Sequence, residues 1–489
     1  MIGGAATTDA SRAAARELLG VASPAGESER RKRKVKYFIE THGCQMNVHD
    51  SERMAGLLEQ AGFERTLDDT DADVVVINTC SVREHAEDKL YTRLGQLRVL
   101  GQEQGRQPVV AVTGCVAQQE GASLLKKTNG HVIDVVLGTQ KLKMLPTLVE
   151  RAVETRSALV DIGALDDVTF PLGLTRRSDP VKAFVTIIEG CNDHCAFCVV
   201  PHTRGHERMR RRRDILDDVR EAVSSGRKEI QLLGQIVNHY QDPDDPACDF
   251  AQLLADVHEV TGVERIRFAS PHPRHTGERL IRAMRDLPRV CRHIHLPVQS
   301  GSTRILQAMR RRHTREDYLG LIDRLRDEIP GIMISTDMIV GFPGESGDDF
   351  DDTLTLTERV QYASMFSFKY SPRPNTLASK RMPDDVGDAE KTARIVRLQA
   401  LQREIQTRLH ERTIGSEVDV LVDSVSRRGA GELSGRTTGN LVVSFSPPAQ
   451  RSDDLAAWVG RTVAVRVTGA GPHRLSAELV QPPGQDASC

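Results

Sequence analysis

Ala183-Phe184-Val185-Thr186-Ile187-Ile188-Glu189-Gly190-Cys191-Asn192-Asp193-His194-Cys195-Ala196-Phe197-Cys198 is an apolar run that ends in three closely spaced cysteines. Its first part, Ala183–Ile188, reads as a buried strand closed by a glycine. Five further strand-like runs follow: Glu229–Leu233, Arg265–Ala269, His293–Pro297, Met333–Val340 and Ser364–Tyr370. Helical stretches separate them, and strand–helix alternation predicts a parallel sheet with right-handed crossovers. Six such units make a partial, open (β/α)6 barrel in place of the full eight. Barrel chemistry sits at the carboxyl ends of strands, where the cysteine triplet falls.

Upstream, Cys44, Cys80 and Cys115 are spaced 36 and 35 residues apart. Each follows an apolar run, Val35–Thr41, Asp73–Thr79 or Pro108–Gly114, and helical segments such as Asp50–Gly62 and Val82–Leu100 lie between. The pattern is again βαβ. Open parallel sheets bind ligands beyond the carboxyl ends of their strands, so the three dispersed cysteines are expected to converge there. Thiolates are soft ligands suited to iron–sulfur clusters, and three of them leave the fourth iron of a four-iron cluster open. For the compact triplet a closed zinc site is the competing reading, with His194 as the fourth ligand.

These readings divide an α/β chain into a disordered leader (1–34), an N-terminal parallel βαβ domain (35–150), a linker (151–180), a barrel core (181–412), a small C-terminal antiparallel β-barrel (415–480) and a tail (481–489). The leader has no apolar core of a secretory signal. Helix Asp388–Arg412 closes the core, with Ile395, Leu398, Leu401, Ile405 and Leu409 on one face. Small barrels of the C-terminal kind often bind oligonucleotides. No apolar run reaches the roughly 18–20 residues of a membrane span. The net charge is −2 among 27% charged residues, so any nucleic-acid affinity must come from local patches. Nine cysteines, an odd number, in 489 residues fit reduced thiols and a cytoplasmic location better than a disulfide scaffold.

Cys191–Cys198, with Phe197 before its last cysteine, resembles the signature of radical S-adenosylmethionine (SAM) enzymes. In that superfamily three thiolates hold a [4Fe–4S] cluster, and SAM binds the open iron. Three segments resemble SAM-contacting motifs: Gly234-Gln235; Gln299-Ser300 within Pro297–Ser302; and Gly341 to Glu345 within Asp337–Glu345. Glycines there permit close backbone approach. Beyond Lys34 the chain is similar to the methylthiotransferases, which combine a three-cysteine N-terminal domain, a radical SAM core and a TRAM domain. Thr41-His42-Gly43-Cys44-Gln45-Met46-Asn47, Asn78–Glu84 and Cys198–Gly205 resemble the isopentenyladenosine subgroup. Met209, Ile236 and Asn375 depart from its usual serine, asparagine and glycine.

The resemblance implies two [4Fe–4S] clusters, on Cys44/Cys80/Cys115 and on Cys191/Cys195/Cys198, and methylthiolation of carbon 2 of N(6)-isopentenyladenosine beside the tRNA anticodon. One SAM methylates a sulfur carried by the first cluster, and a second yields the radical that removes the aromatic hydrogen. Further implied partners are an electron donor such as a flavodoxin system and a sulfur donor, with the enzyme a monomer. Arg204, Arg208, Arg210, Arg211, Arg212 and Arg213 directly follow the cluster loop and are read as steering phosphate. In the last domain, Arg436 of the TRAM-like Gly435-Arg436-Thr437 is a plausible RNA contact. His272 and His275 read equally as substrate contacts or satisfied loop histidines, and Cys248, Cys291 and Cys489 as structural. A non-catalytic iron–sulfur RNA-binding or sulfur-carrier protein is the alternative class.

Overall fold

The computed structural model describes residues 34–81, 84–127, 132–163, 170–426, 431–448 and 454–480. The expected leader, apart from Lys34, and the expected tail with Cys489 lie outside the described residues.

The first unit is a six-stranded parallel sheet of order β2-β1-β3-β4-β5-β6. Its strands are β1 (Lys36–His42), β2 (Glu64–Arg65), β3 (Val74–Thr79), β4 (Val109–Gly114), β5 (Val135–Leu137) and β6 (Leu159–Asp161). Every residue of β3 and β4 is buried. Successive side chains point to opposite faces, so Val74 and Val76 enter one core while Val75 and Ile77 enter the other. Those strands are apolar throughout because both faces are covered. Strand β6 and the helix Leu145–Thr155 belong to this sheet unit, so the stretch expected to begin a linker at 151 starts inside it. Tertiary pairing decides this: a three-residue strand is too short to show a period in sequence.

The barrel strands are β7 (Lys182–Thr186), β10 (Glu229–Leu233), β11 (Arg265–Phe268), β12 (His293–His295), β13 (Met333–Val340) and β14 (Ser364–Lys369). A short antiparallel pair, β8 (Ile188–Glu189) with β9 (Arg208–Met209), flanks the cysteine loop. The barrel consists of two parallel halves, β11-β10-β7 and β12-β13-β14, joined by an isolated bridge between Ile266 and Val290. One apolar core spans both halves, from Ala183 to Leu398 on the closing helix Asp388–Glu411.

The C-terminal unit is a closed five-stranded barrel of β15 (Glu417–Val425), β16 (Leu433–Arg436), β17 (Val442–Phe445), β18 (Thr462–Ala470) and β19 (Leu475–Leu479). It was expected to be antiparallel throughout, but β17 pairs with β19 in parallel, which closes the barrel. Buried guanidinium groups dock it on the core. Arg267 donates to the Thr437 and Thr438 carbonyls at 2.7 and 3.1 Å and pairs with Glu229 at 2.8 Å. Arg265 donates to the carbonyls of Arg436 and Asp419.

Candidate functional site

Register brings the dispersed cysteines together. His42 lies opposite Thr79, and Thr79 opposite Gly114, so three adjacent parallel strands end at one level. Cys44 precedes α1 (Gln45–Gln60), Cys80 follows β3, and Cys115 opens the helix Cys115–Glu120. The Cys80 amide donates to the His42 carbonyl at 2.8 Å, tying two of the turns together. A Cβ on Gly43 would lie 2.8 Å from the Cys80 Cβ, so only glycine fits beside Cys44.

The three thiols share hydrogen bonds. Cys80 bonds to both neighbours, which pushes Cys44 down to about 5 and Cys115 to about 7, aided by the Arg204 guanidinium. Cys80 is driven up, first by its bond to Cys115. Cys44 is exposed, whereas Cys80 and Cys115 are buried. The set therefore has one accessible edge and an electropositive environment, which suits a thiolate-bound cluster.

The compact triplet occupies the turn after β8. Gly190 enters it at φ +80°, where a side chain would strike the His206 carbonyl. Cys191 Sγ accepts from the Asp193 amide at 3.5 Å, and Cys195 Sγ from Arg311 Nη1 at 3.6 Å. Burial, then the neighbouring thiols, push Cys191 up to about 11 and Cys198 to about 12. Thiols raised in this way ionise readily only with a cationic centre beside them, and an iron–sulfur cluster fits. A mononuclear ion draws its ligands to about 2.0–2.3 Å. Among the described residues no three His, Cys, Asp or Glu side chains, with or without His194, are placed to hold a single ion.

A cavity of about 640 Å³ reaches from Cys198 of the cluster loop to the turn that precedes Cys44. His42 and Gly43 line it from the first unit, Phe197 and Cys198 from the loop, and Gln299 and Asp337 from the barrel. Gln299 holds φ +82° while bonded through its backbone to Asp337 and Ile339. Ser300 is buried and its hydroxyl accepts from the Ser302 amide at 3.2 Å. Gly234 packs against Val237 and Ile188, where a side chain would crowd, and the Gln235 amide oxygen is buried without a partner.

The structure directs two expected cofactor contacts elsewhere. Glu345 is buried against Arg394 at 2.7 Å and accepts from the Gly341 amide. Gly341, at φ +70°, makes room for Lys391 of the closing helix. Both residues anchor that helix to β13.

The arginine run divides similarly. Arg204, expected to face RNA, is buried 2.7 Å from Asp50 of α1. Arg210 is buried too, bonded to Asp218 at 2.9 Å and the Thr186 carbonyl at 2.8 Å. Arg204 is paired by a carboxylate 154 residues away, and Arg210 by one eight residues on. Arg208 is half-buried 3.5 Å from Glu189, whereas Arg211 and Arg213 are exposed. Arg436 is half-buried, near Asn440 and Asp423. Sequence reasoning missed Lys89 of the first unit, and Lys369 and Arg373 at and just after the end of β14, which line the cavity together. It also missed Arg311, whose only sequence signal was its place in Arg310-Arg311-Arg312.

Secondary positions resolve plainly. His272 is buried, with Nδ1 accepting from the Arg274 amide, and its ring stacks edge-on near His275. Asn375 sits at φ +68°, a conformation asparagine tolerates where glycine is usual. Cys248 and Cys291 are buried.

Three cysteines after the first barrel strand, in a half-open parallel barrel, define a radical SAM protein. A model of the Radical SAM superfamily matches residues 185–357. Models described as uncharacterized protein family UPF0004 and TRAM domain match 36–138 and 411–480. A radical S-adenosylmethionine methyltransferase, TsrM, from Kitasatospora setae shares the fold at TM-score 0.52 and 14% identity, over 82% of this chain and 78% of that one. Among curated relatives, the tRNA-2-methylthio-N(6)-dimethylallyladenosine synthase of Thermoanaerobacter sp. (strain X514) is 42% identical over 93% of this chain and 94% of its own. That of Geotalea uraniireducens (strain Rf4) is 44% identical over 90% and 98%. The chain belongs to the tRNA-2-methylthio-N(6)-dimethylallyladenosine synthase family.

Proposed function

We propose that this chain transfers a methylthio group to carbon 2 of N(6)-isopentenyladenosine beside the anticodon of tRNA, using SAM and two [4Fe–4S] clusters. The observation that carries it is a cavity lined by Cys198 of one triplet and by His42 and Gly43, which lead directly into Cys44 of the other. Cys191, Cys195 and Cys198 would hold one cluster, and Cys44, Cys80 and Cys115 the other. When bound, these groups and SAM supply one-electron cleavage of a sulfonium bond, a hydrogen-abstracting radical and the sulfur to be transferred. The rest is the work of the chain.

Phe197 and Ile339 present apolar surface to the cavity, which excludes water from a radical. Gln299 offers polar groups to a nucleoside at the cavity wall, with Ser300 buried next to it in the chain and Gln235 carrying a buried amide oxygen without a partner. Lys89, Lys369 and Arg373 at the cavity, with Arg211 and Arg436 farther out, give RNA phosphates a cationic path. An adenosine must leave its stack to enter such a cavity, which anticodon loops permit. No described helix is long and apolar enough to cross a membrane. A flavodoxin-type electron donor, a separate sulfur donor, a monomeric state and a cytoplasmic location complete the proposal.

The test is anaerobic reconstitution, followed by mass spectrometry of tRNA nucleosides and assay of 5′-deoxyadenosine. Methylthio-isopentenyladenosine is expected, with about eight irons per chain when both clusters are loaded. No 5′-deoxyadenosine under reduction would favour the scaffold alternative. Product confined to threonylcarbamoyladenosine would overturn the substrate assignment.

A further inference from the structure

A second groove, of about 320 Å³, continues from the cavity, with Ser367 and Phe368 lining both. Its floor is β14, the terminal strand of its sheet. Phe366 and Phe368 are 53% and 36% exposed there, unusual for large apolar side chains beside a core. Being two apart on a strand, they share a face. Phe366 meets the His295 ring edge-on at 5.9 Å, which fixes its plane.

Amides line the groove from the closing helix, which packs on the Ser367 face of β14 and not on the Phe366 face. Gln399, Gln402 and Gln406 lie at the three- and four-residue steps that share a helix face. Gln399 donates to Ser367 Oγ at 3.1 Å and Gln402 to the Tyr362 carbonyl at 2.8 Å. Gln402 is only 5% exposed, and its amide oxygen is buried without a partner. Exposed Arg403 and His473 stand at the rim, His473 on the turn between β18 and β19. That turn is fixed by His410, whose Nδ1 lies 2.7 Å from the Gly471 carbonyl.

We propose that this groove is a second nucleobase site, which holds the anticodon-loop base adjoining the target adenosine, stacked on Phe366 and Phe368. The inference rests on the function proposed above. A base drawn into the cavity brings its covalent neighbour to the shared wall at Phe368. Two exposed ring faces beside the cavity, amide-bearing side chains at the sheet edge and an arginine at the rim match a nucleotide. Aromatic stacking is sequence-tolerant, so the site orders the loop more than it reads it.

The experiment compares Phe366→Ala and Phe366→Tyr with the unaltered chain. Binding is measured on an isopentenylated anticodon stem-loop, intact or with an abasic nucleotide on either side of the target. Phe366→Ala should weaken intact RNA by about 5- to 150-fold, and Phe366→Tyr should retain binding. One abasic RNA should bind as weakly, and lose nothing more to Phe366→Ala. Equal further losses on both abasic RNAs would overturn the proposal, as would a loss of SAM affinity without RNA in place of RNA affinity. Failure of the unaltered chain to make methylthio product would sink the functional reading, while the binding comparison would still decide the groove.

Discussion

Arg204 joins the two cysteine triplets. It follows Cys198 by six residues, yet its side chain pairs with Asp50 on the helix that begins after Cys44. Its charge acts on the Cys44 and Cys115 thiols. Arg204→Gln leaves Asp50 buried and unpaired, which typically costs about 3–5 kcal/mol, to be read by chemical denaturation. It also removes a cation beside a centre that becomes more negative on reduction. The midpoint potential of the Cys44/Cys80/Cys115 cluster should therefore fall in an EPR-monitored titration, with 5′-deoxyadenosine formation without RNA retained. An unchanged potential would show that the guanidinium is purely structural. Cys80→Ala should similarly remove roughly half the iron while sparing SAM cleavage; loss of both activities would contradict the division of labour between the triplets. The cysteines were legible because rare residues at strand ends carry their own signal. The burial of Arg204 was not, since six arginines in ten residues look alike until Asp50 arrives from elsewhere in the fold.

The longer parallel strands were legible almost to the residue, because covering both faces writes continuous apolar runs such as Val74–Ile77, whereas β2, β5 and β6, two or three residues long, were not. Helix α1 was expected from Asp50 but begins at Gln45, since its start is set by the cysteine turn and not by an apolar period. Docking of the C-terminal barrel left no sequence signal: Arg265 and Arg267 read as strand residues of the core, and their partners are backbone carbonyls. Arg267→Ala would strip the Thr437 and Thr438 carbonyls of their donor and leave Glu229 buried without its cation. Limited proteolysis should then cut near Gly415, and stem-loop affinity should drop, with SAM cleavage by the core unchanged. Protection equal to that of the unaltered chain would show that other contacts suffice. At the first sheet, Gly43→Ala should expel Cys80 from its position and lower iron content by about half, as measured by elemental analysis.

At the scale of the whole molecule the decisive arrangement is the seating of the first unit on the cluster loop. Arg53 of α1 reaches Glu189 of β8 at 3.0 Å, Arg204 reaches Asp50, and Gln140 donates to the Arg204 carbonyl at 2.9 Å. Thr139 donates to the Thr203 carbonyl. None of these residues lines the cavity, so they hold the two units together without entering its chemistry. Generating a radical needs only the barrel, whereas delivering sulfur needs both units at a fixed separation. Loosening the seat should therefore uncouple the two. Glu189→Gln keeps the size of the side chain but removes the charge shared by Arg53 and Arg208. The ratio of 5′-deoxyadenosine to methylthiolated nucleoside should rise above that of the unaltered chain, with iron content unchanged. Arg53→Lys, which keeps the charge, should restore most of the coupling lost in Arg53→Ala. An unaltered ratio in both Glu189→Gln and Arg53→Ala would mean that bound RNA, and not the protein's own interface, holds the units at working distance.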